Sequence, residues 1–232
     1  MKLAIMQPYF FPYIGYFQLL AAVDVFVLYD NIQYTKKGWI NRNRVLLNGH
    51  DSVFSLPLKK DRDGLDVRER ELAADFKPQK LLAQLRGAYQ KAPHFEQTML
   101  LVETILLRDR KNLFSFLHHS LACIAAHLGI ATQIRISSEI AIDHALTSQD
   151  KVLALCKELG ASTYVNAAGG QALYSKTAFQ EQGIVLRFLQ ARPFEYQQFG
   201  QPCVPWLSII DVLMFNAVPV VRSAIAHNYD LV

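Results

Sequence analysis

Lys2-Leu3-Ala4-Ile5-Met6-Gln7-Pro8-Tyr9-Phe10-Phe11-Pro12-Tyr13-Ile14-Gly15-Tyr16-Phe17 opens the chain, and Val25-Phe26-Val27-Leu28-Tyr29-Asp30-Asn31 follows after a helix-length interval. Residues 2–6 are a short apolar run, residues 25–28 a second run of β-formers, and Tyr16 to Val23 between them carries helical apolar spacing. The order strand, helix, strand predicts two parallel neighbours in an α/β sheet. Pro8 and Pro12 lack an amide N–H and restrict the residues before them, so a loop leaves the first strand, with Gly15 where the helix begins. Loops at the carboxyl ends of strands line the ligand crevice of an open α/β sheet. Gln7, Tyr9, Tyr13 and Tyr16 are therefore candidate ligand contacts, and the helix start at Gly15 suits an anion. Asp30 and Asn31 leave the second strand on the same side, and Asp30 is the leading candidate acid or base.

Farther along, Asn48-Gly49 between two apolar runs signals a hairpin and hence a small antiparallel pair. Lys59 to Arg70 is charged and reads as an exposed loop or short edge strand. Helical spacing then covers Pro78 to about Gln90, Phe95 to Leu106 and Asn112 to Leu128, with Arg108-Asp109-Arg110 turning between the last two. From 134 to 189, strands at Ile134-Arg135-Ile136, Thr163 to Asn166 and Ile184 to Leu189 alternate with helices, one capped by Ser148 and one over Leu173 to Gln182. A loop from Pro193 to Pro205 and a helix from Leu207 to about Asn216 follow. The expected architecture is an α/β domain spanning 1–232: a mostly parallel Rossmann-like sheet flanked by helices, with a helical insertion at about 77–129 and the small hairpin.

The 232 residues are 51% hydrophobic and 19% charged, which favours a globular fold over disorder. No apolar run reaches the roughly 20 residues of a membrane span, and prolines interrupt the N-terminus where a signal peptide would be continuous, so a cytoplasmic location is expected. Cys123, Cys156 and Cys203 are widely spaced and read as buried thiols, without a disulfide or zinc framework. A net charge of +4 accommodates an anionic small molecule but is weak for DNA.

The local exception is Lys36, Lys37, Arg42 and Arg44, interleaved with Trp39, Asn41 and Asn43. Such a set can grip a diphosphate while Trp39 stacks on a base or sugar; the structural alternative is a solvated loop with one hydrophobic anchor. Asn166-Ala167-Ala168-Gly169-Gly170 lies between strand and helix, where glycines let backbone amides approach phosphate, or where they merely make a tight turn. Ser208 and Asp211 share a face of the apolar run Trp206 to Asn216, and a carboxylate there must be partnered or functional, either by orienting Arg42 or Arg44 or by touching substrate. None of the seven histidines forms a recognisable triad or metal pair, so no metal is expected.

Gln7-Pro8-x-Phe10-Phe11-Pro12-x-x-Gly15-Tyr16-Phe17, the Asp30-Asn31-x-Gln33 turn, Gly38-Trp39-x-Asn41-Arg42-Asn43, Tyr196-Gln197 and Leu207-Ser208-Ile209-Ile210-Asp211 together resemble the WbqC-like family across nearly the whole chain. The resemblance implies a role in bacterial O-antigen and lipopolysaccharide biosynthesis, with glycine transfer onto a sugar as the activity suggested for that family. Tyr13-Ile14-Gly15-Tyr16 is also similar to the His-Ile-Gly-His motif of nucleotidylyltransferases and class I synthetases, with Tyr174-Ser175-Lys176-Thr177 in the place of their second phosphate loop. Both histidines are tyrosine here, so the positive charge would have to come from Lys36, Lys37 or Arg42.

Three functions are thus expected from the sequence. The first is a transferase forming an amide between glycine or a small acyl unit and the amine of a nucleotide-sugar, with Asp30 and Tyr16 in catalytic roles and Lys37, Trp39 and Arg42 on the nucleotide. ATP is its candidate cofactor where activation occurs on the protein. The others are a nucleotidylyl- or adenylyltransferase and a non-catalytic nucleotide-sugar-binding module. One spatial expectation underlies all three: the proline-tyrosine loop and the tryptophan-arginine patch meet at one pocket.

Overall fold

β1 (Lys2–Met6), α1 (Ile14–Ala21) and β2 (Val25–Leu28) form a parallel strand-helix-strand unit at the centre of the sheet, in which Leu3 to Met6 pair with Val25 to Leu28. In this computed structural model, residues 1–109, 111–200 and 202–232 are described; the expected turn residue Arg110 lies outside them. Alternation of side chains across the pleat, with both faces covered, explains why residues 3–6 and 25–28 are apolar throughout. Ala4, Phe26 and Leu28 face one core, and Leu3, Ile5, Val25 and Val27 face another on the opposite side of the sheet.

Next in the chain come β3 (Arg42–Leu47) and β4 (His50–Ser55), a separate antiparallel pair. Its turn is Asn48-Gly49, both with positive φ (52° and 79°), as the two-residue hairpin turn requires. Then follow α2 (Pro78–Tyr89), α3 (Phe95–Leu106) and α4 (Leu113–His127), whose buried stripes, including Leu85, Val102 and Leu117, join the core of Ala4 and Phe26. β5 (Gln133–Ile136), α5 (Ser148–Glu158), β6 (Thr163–Ala167), α6 (Lys176–Glu181) and β7 (Val185–Ala191) resume the α/β alternation. The chain closes with α7 (Ile209–Phe215), α8 (Val218–His227) and β8 (Tyr229–Leu231).

The sheet order is β5-β2-β1-β6-β7-β8, with every neighbour parallel except β7 and β8. The chain winds from β1 out through β2 to β5, then returns to the other side of β1 as β6. Strand order therefore reverses between β1 and β6, which is where a doubly wound sheet opens its binding crevice.

Local departures from the sequence reading have local causes. The first helix starts one residue earlier than expected, at Ile14, so Gly15 lies within its first turn. The single helix expected over Leu173 to Gln182 is divided: Ala168–Leu173 is a 3-10 turn, and α6 starts anew after Ser175, whose side chain accepts from Ala178 N–H (3.4 Å). Ser148 is the first residue of its helix rather than its cap, and Thr147 holds the N-cap position. α8 and β8 carry no strong signal; α8 has a proline in its first turn, and β8 is three residues held by pairing with β7.

The loop after β1 is clamped at a strained point. Phe11 has φ of +43°, a left-handed conformation that costs a side-chain-bearing residue about 1–2 kcal/mol. Buried Asn43 donates through Nδ2 to the carbonyls of Phe10 (3.0 Å) and Phe11 (2.9 Å), and Ser208 Oγ donates to the same Phe11 carbonyl (2.7 Å). Phe10 and Phe11 pack with Phe54 of β4, at ring separations of 5.1 and 6.3 Å. Asn43→Ala removes the side-chain donor to the Phe10 carbonyl and leaves the Phe11 carbonyl to Ser208 alone, and should cost about 2–4 kcal/mol in urea denaturation. A loss below about 0.5 kcal/mol, the scale of a neutral surface change, would show that the clamp is not needed.

Candidate functional site

A cavity of about 1140 Å³ opens at the β1/β6 reversal. Gln7, Tyr9 and Tyr13 line it from the loop after β1, Asn31 from the end of β2, and Asn166, Gly169 and Gly170 from the turn after β6. These seven sequence candidates, distant along the chain, are brought together because parallel strands deliver their carboxyl-end loops to one edge.

Beneath the cavity, Tyr16 is buried and donates its hydroxyl to the Gln7 carbonyl (3.0 Å), and burial pushes its phenol well above the usual value. It supports the β1 loop and does not line the cavity. A side chain at Gly15 would collide with the Tyr13 phenol, so glycine lets that ring lie against the first turn of α1. Tyr13 also forms a wall of a smaller cavity of about 250 Å³ bounded by Phe194 and Trp206. On the far lip, Asn166 sits over Gly170, where a Cβ would lie 3.1 Å from its Nδ2, whereas nothing lies within 4 Å of the corresponding point at Gly169.

Asn31 belongs to a polar chain. Its Oδ1 accepts from Ser137 Oγ (2.9 Å) and its Nδ2 donates to His144 Nδ1 (2.9 Å), while His144 Nε2 donates to the Ile140 carbonyl (3.0 Å). Asp30 is 2% exposed and accepts at both oxygens from Ser138, from N–H (2.9 Å) and from Oγ (2.6 Å). It ties the end of β2 to the turn after β5 and is outside the cavity lining.

Asp66 and Lys151, which the sequence reading did not select, line the cavity instead. Burial raises the Asp66 carboxyl and lowers the Lys151 ammonium from their ordinary values, and each charge favours the other across the space without an ion pair within 4 Å. Lys151 Nζ lies 5.2 Å from the Tyr29 ring centroid, and burial pushes that phenol up to about 12. Asp66 was masked by the charge of its surroundings, Lys59 to Arg70. Lys151 had a signal: it stands four residues before Leu155, on the buried stripe of its helix.

The remaining candidates lie elsewhere. Arg42 donates to the Gly38 and Lys37 carbonyls, Arg44 pairs with Asp51 (3.0 Å), and both guanidinium groups stand over Trp39, 5.8 and 5.5 Å from its centroid. Asn41 accepts from Tyr34 hydroxyl (2.9 Å) and donates to the Leu56 carbonyl (2.8 Å). The patch touches the β1 loop through Phe10 N–H, which donates to the Trp39 carbonyl (3.1 Å), but Lys37, Trp39, Asn41, Arg42 and Asn43 do not line the cavity. The proline-tyrosine loop therefore lines the cavity and the tryptophan-arginine patch does not: Arg42 holds main-chain carbonyls, Arg44 pairs with Asp51, and Lys36 pairs with Asp63 on the surface.

Ser208 N-caps α7, accepting from Ile210 N–H (3.2 Å). Asp211 is fully buried away from Arg42 and Arg44; it accepts from the hydroxyls of Tyr89 (2.7 Å) and Tyr196 (2.6 Å) and from Gln198 Nε2 (2.9 Å). Burial raises its carboxyl from the ordinary value despite these donors. Among the described residues, no group of three or more His, Cys, Asp or Glu is arranged to hold a metal ion, and no helix is long and apolar enough to cross a membrane.

A family model described as the WbqC-like protein family matches residues 7–222. A protein of Mycobacterium tuberculosis (strain ATCC 25618 / H37Rv), named Uncharacterized protein Rv1507c, is 29% identical over 218 residues, covering 93% of either chain. No solved structure matches the chain.

Because Asp211 has a raised folded-state pKa, its contribution to stability is full below the unfolded carboxylate range and is lost as the pH rises through the folded value. Asp211→Asn does not titrate, so its stability relative to wild type should improve as the pH rises above the ordinary carboxylate range in urea denaturation; a flat difference would contradict the shift. Asp211→Ala strands two hydroxyls and an amide and should cost about 2–4 kcal/mol at neutral pH.

Proposed function

The chain belongs to the WbqC-like protein family, and we propose that it is a transferase joining glycine or another small acyl group to the amine of a nucleotide-linked deoxyamino sugar, in the making of bacterial surface polysaccharide. The observation that carries this reading is the cavity of about 1140 Å³ at the β1/β6 reversal, a place and size suited to a nucleotide-sized ligand. Its polar lining is mostly uncharged: tyrosines at 9, 13, 29 and 174 offer ring faces to a base or sugar, and the amides of Gln7, Asn31 and Asn166 offer both donors and acceptors.

In this reading, the sugar amine attacks the carbonyl carbon of an activated acyl donor, a thioester or an aminoacyl ester. The C–N bond forms, the donor C–S or C–O bond breaks, and the amine proton passes to Asp66 and then to the departing thiolate or alkoxide. Asp30 lies outside the cavity lining and is bonded twice to Ser138, so Asp66, which lines the cavity, replaces it as proton acceptor; a carboxyl raised by burial is better matched to an amine than an ordinary one. Tyr16 acts from behind, holding the Gln7 carbonyl and with it the loop that carries Tyr9 and Tyr13.

The test is to incubate the full chain with nucleotide-linked amino sugars and glycine supplied as thioester, as aminoacyl ester, or free with ATP. The expected product is the sugar nucleotide heavier by one glycyl residue in mass spectrometry. Asp66→Asn should lower kcat by about 10²–10⁴-fold with KM little changed. Absence of product under every combination would end the transferase reading, and pyrophosphate release without amide formation would favour nucleotidylyl transfer.

A further inference from the structure

Lys151 is the least explained charge in the molecule. It is 5% exposed, buried on the same side of α5 as Val152 and Leu155, and lines the cavity. Among the described residues no carboxylate lies within 4 Å of it. Its polar contacts are the carbonyls of Asn31 (3.5 Å) and His144 (3.4 Å), both at the long limit of a hydrogen bond, and the face of Tyr29. Asp30 and Asp66 attract it from a distance and Arg68 repels it. Asp30 is already bonded twice to Ser138, and Asp66 is bound into a capping box with Glu69 and lies 3.7 Å from Arg68. An ammonium buried this way without a close counter-ion is costly, and a bound anion would remove the cost.

The backbone beside it adds donors. Lys151 N–H makes the bond to the Thr147 carbonyl (3.3 Å) that starts the helical ladder, leaving the amides of Ser148, Gln149 and Asp150 ahead of it, and the N-cap Thr147 provides no side-chain cap. Thr147, Ser148 and Gln149 all line the cavity. The one acidic group of that turn, Asp150, is exposed and outside the lining. Opposite, Gly169 leaves open space where another residue would project a side chain.

We propose that Lys151 and the first turn of α5 form the anion-binding subsite of this cavity and take the diphosphate of the nucleotide-linked substrate. This deepens, and rests on, the reading of the cavity as the substrate pocket. It assigns to one buried lysine and a set of backbone amides the task that composition gave to Lys36, Lys37, Arg42 and Arg44. The lowered affinity of the lysine for its proton, a result of burial, also leaves more of its amine free to react with an aldehyde.

The probes are UDP, inorganic pyrophosphate and glycine, measured by calorimetry and thermal shift on the full chain. UDP and pyrophosphate should bind wild type, and Lys151→Met should weaken both by about tenfold to 100-fold, the loss of a charge-assisted contact. The unliganded variant should melt no lower than wild type, because an uncompensated buried charge has been removed; a merely structural lysine would lower melting and leave affinity unchanged. On the unmutated chain, pyridoxal 5′-phosphate should condense with Lys151 to a Schiff base, releasing water, which borohydride reduces to a stable amine. Pyrophosphate should protect that position in peptide mapping. Failure of wild type to bind either phosphate probe, undiminished binding in Lys151→Met, labelling confined to exposed lysines, or loss of glycine binding with diphosphate binding intact would each overturn the proposal. None of these readouts needs turnover, so diphosphate binding without acyl transfer would reject the transferase reading alone, and transfer without diphosphate binding the subsite alone.

Discussion

The left-handed bend at Phe11 is the constraint from which the site follows. A phenylalanine with φ of +43° holds that conformation only when its surroundings over-determine it, and here three donors aimed at two carbonyls do so. Asn43 comes from the hairpin and Ser208 from the start of α7, so two distant parts of the chain meet at the loop that leaves β1. Further ties run from Trp39 to Phe10, from Ile209 to Pro12 and from Ser208 to Arg44 through main chain alone. A proline-rich loop, which has few amides with which to brace itself, is thereby held by bonds from the hairpin and from α7. The tyrosines it carries are presented at fixed positions, and Tyr16 adds a bond from beneath.

Placement of the cavity depends on a second constraint, the parallel order of the sheet. Alternate side chains of β1, β2 and β6 are shared between two cores, so neither face of the sheet is free for a ligand. What remains is the edge formed by the carboxyl ends of the strands, and the reversal between β1 and β6 parts the connecting segments there. The loops of Gln7, Asn31 and Asn166 are neighbours for that reason alone.

Charge in this protein is distributed against first appearances. The densest basic stretch, Lys36 to Arg44, uses its guanidinium groups on backbone carbonyls, Asp51 and the Trp39 ring, which stiffens the segment joining the β1 loop to the hairpin. Asp211, the carboxylate of an apolar helix, is satisfied by two tyrosines and a glutamine and fixes α7 against α2 and the loop before it. The charges that face the cavity, Asp66 and Lys151, come from segments with no motif; Asp66 lies 3.7 Å from Arg68, and Lys151 is the buried one, held by two long contacts to carbonyls and the Tyr29 ring. Local density of charge is a poor guide to function because surface and scaffold use the same residue types, whereas a buried charge without a close partner has few structural uses.

By itself the sequence determined the α/β alternation, the Asn48-Gly49 hairpin, the three helices between hairpin and β5, and the family, because periodicity, turn chemistry and motif are local properties written in consecutive residues. It also placed Gln7, Tyr9, Tyr13, Asn31, Asn166, Gly169 and Gly170 at strand ends, from which their meeting could be argued through topology. Only the tertiary structure decided that Asp30 is bound to Ser138, that Arg42 and Arg44 are taken up by carbonyls, Asp51 and the Trp39 ring, and that Asp66 and Lys151 line the cavity. Those outcomes depend on which groups, more than a hundred residues apart in the case of Asp30 and Ser138, come within hydrogen-bonding distance once two cores have packed. Partnership over such separations is set by the geometry of packing, and a linear pattern carries no record of it.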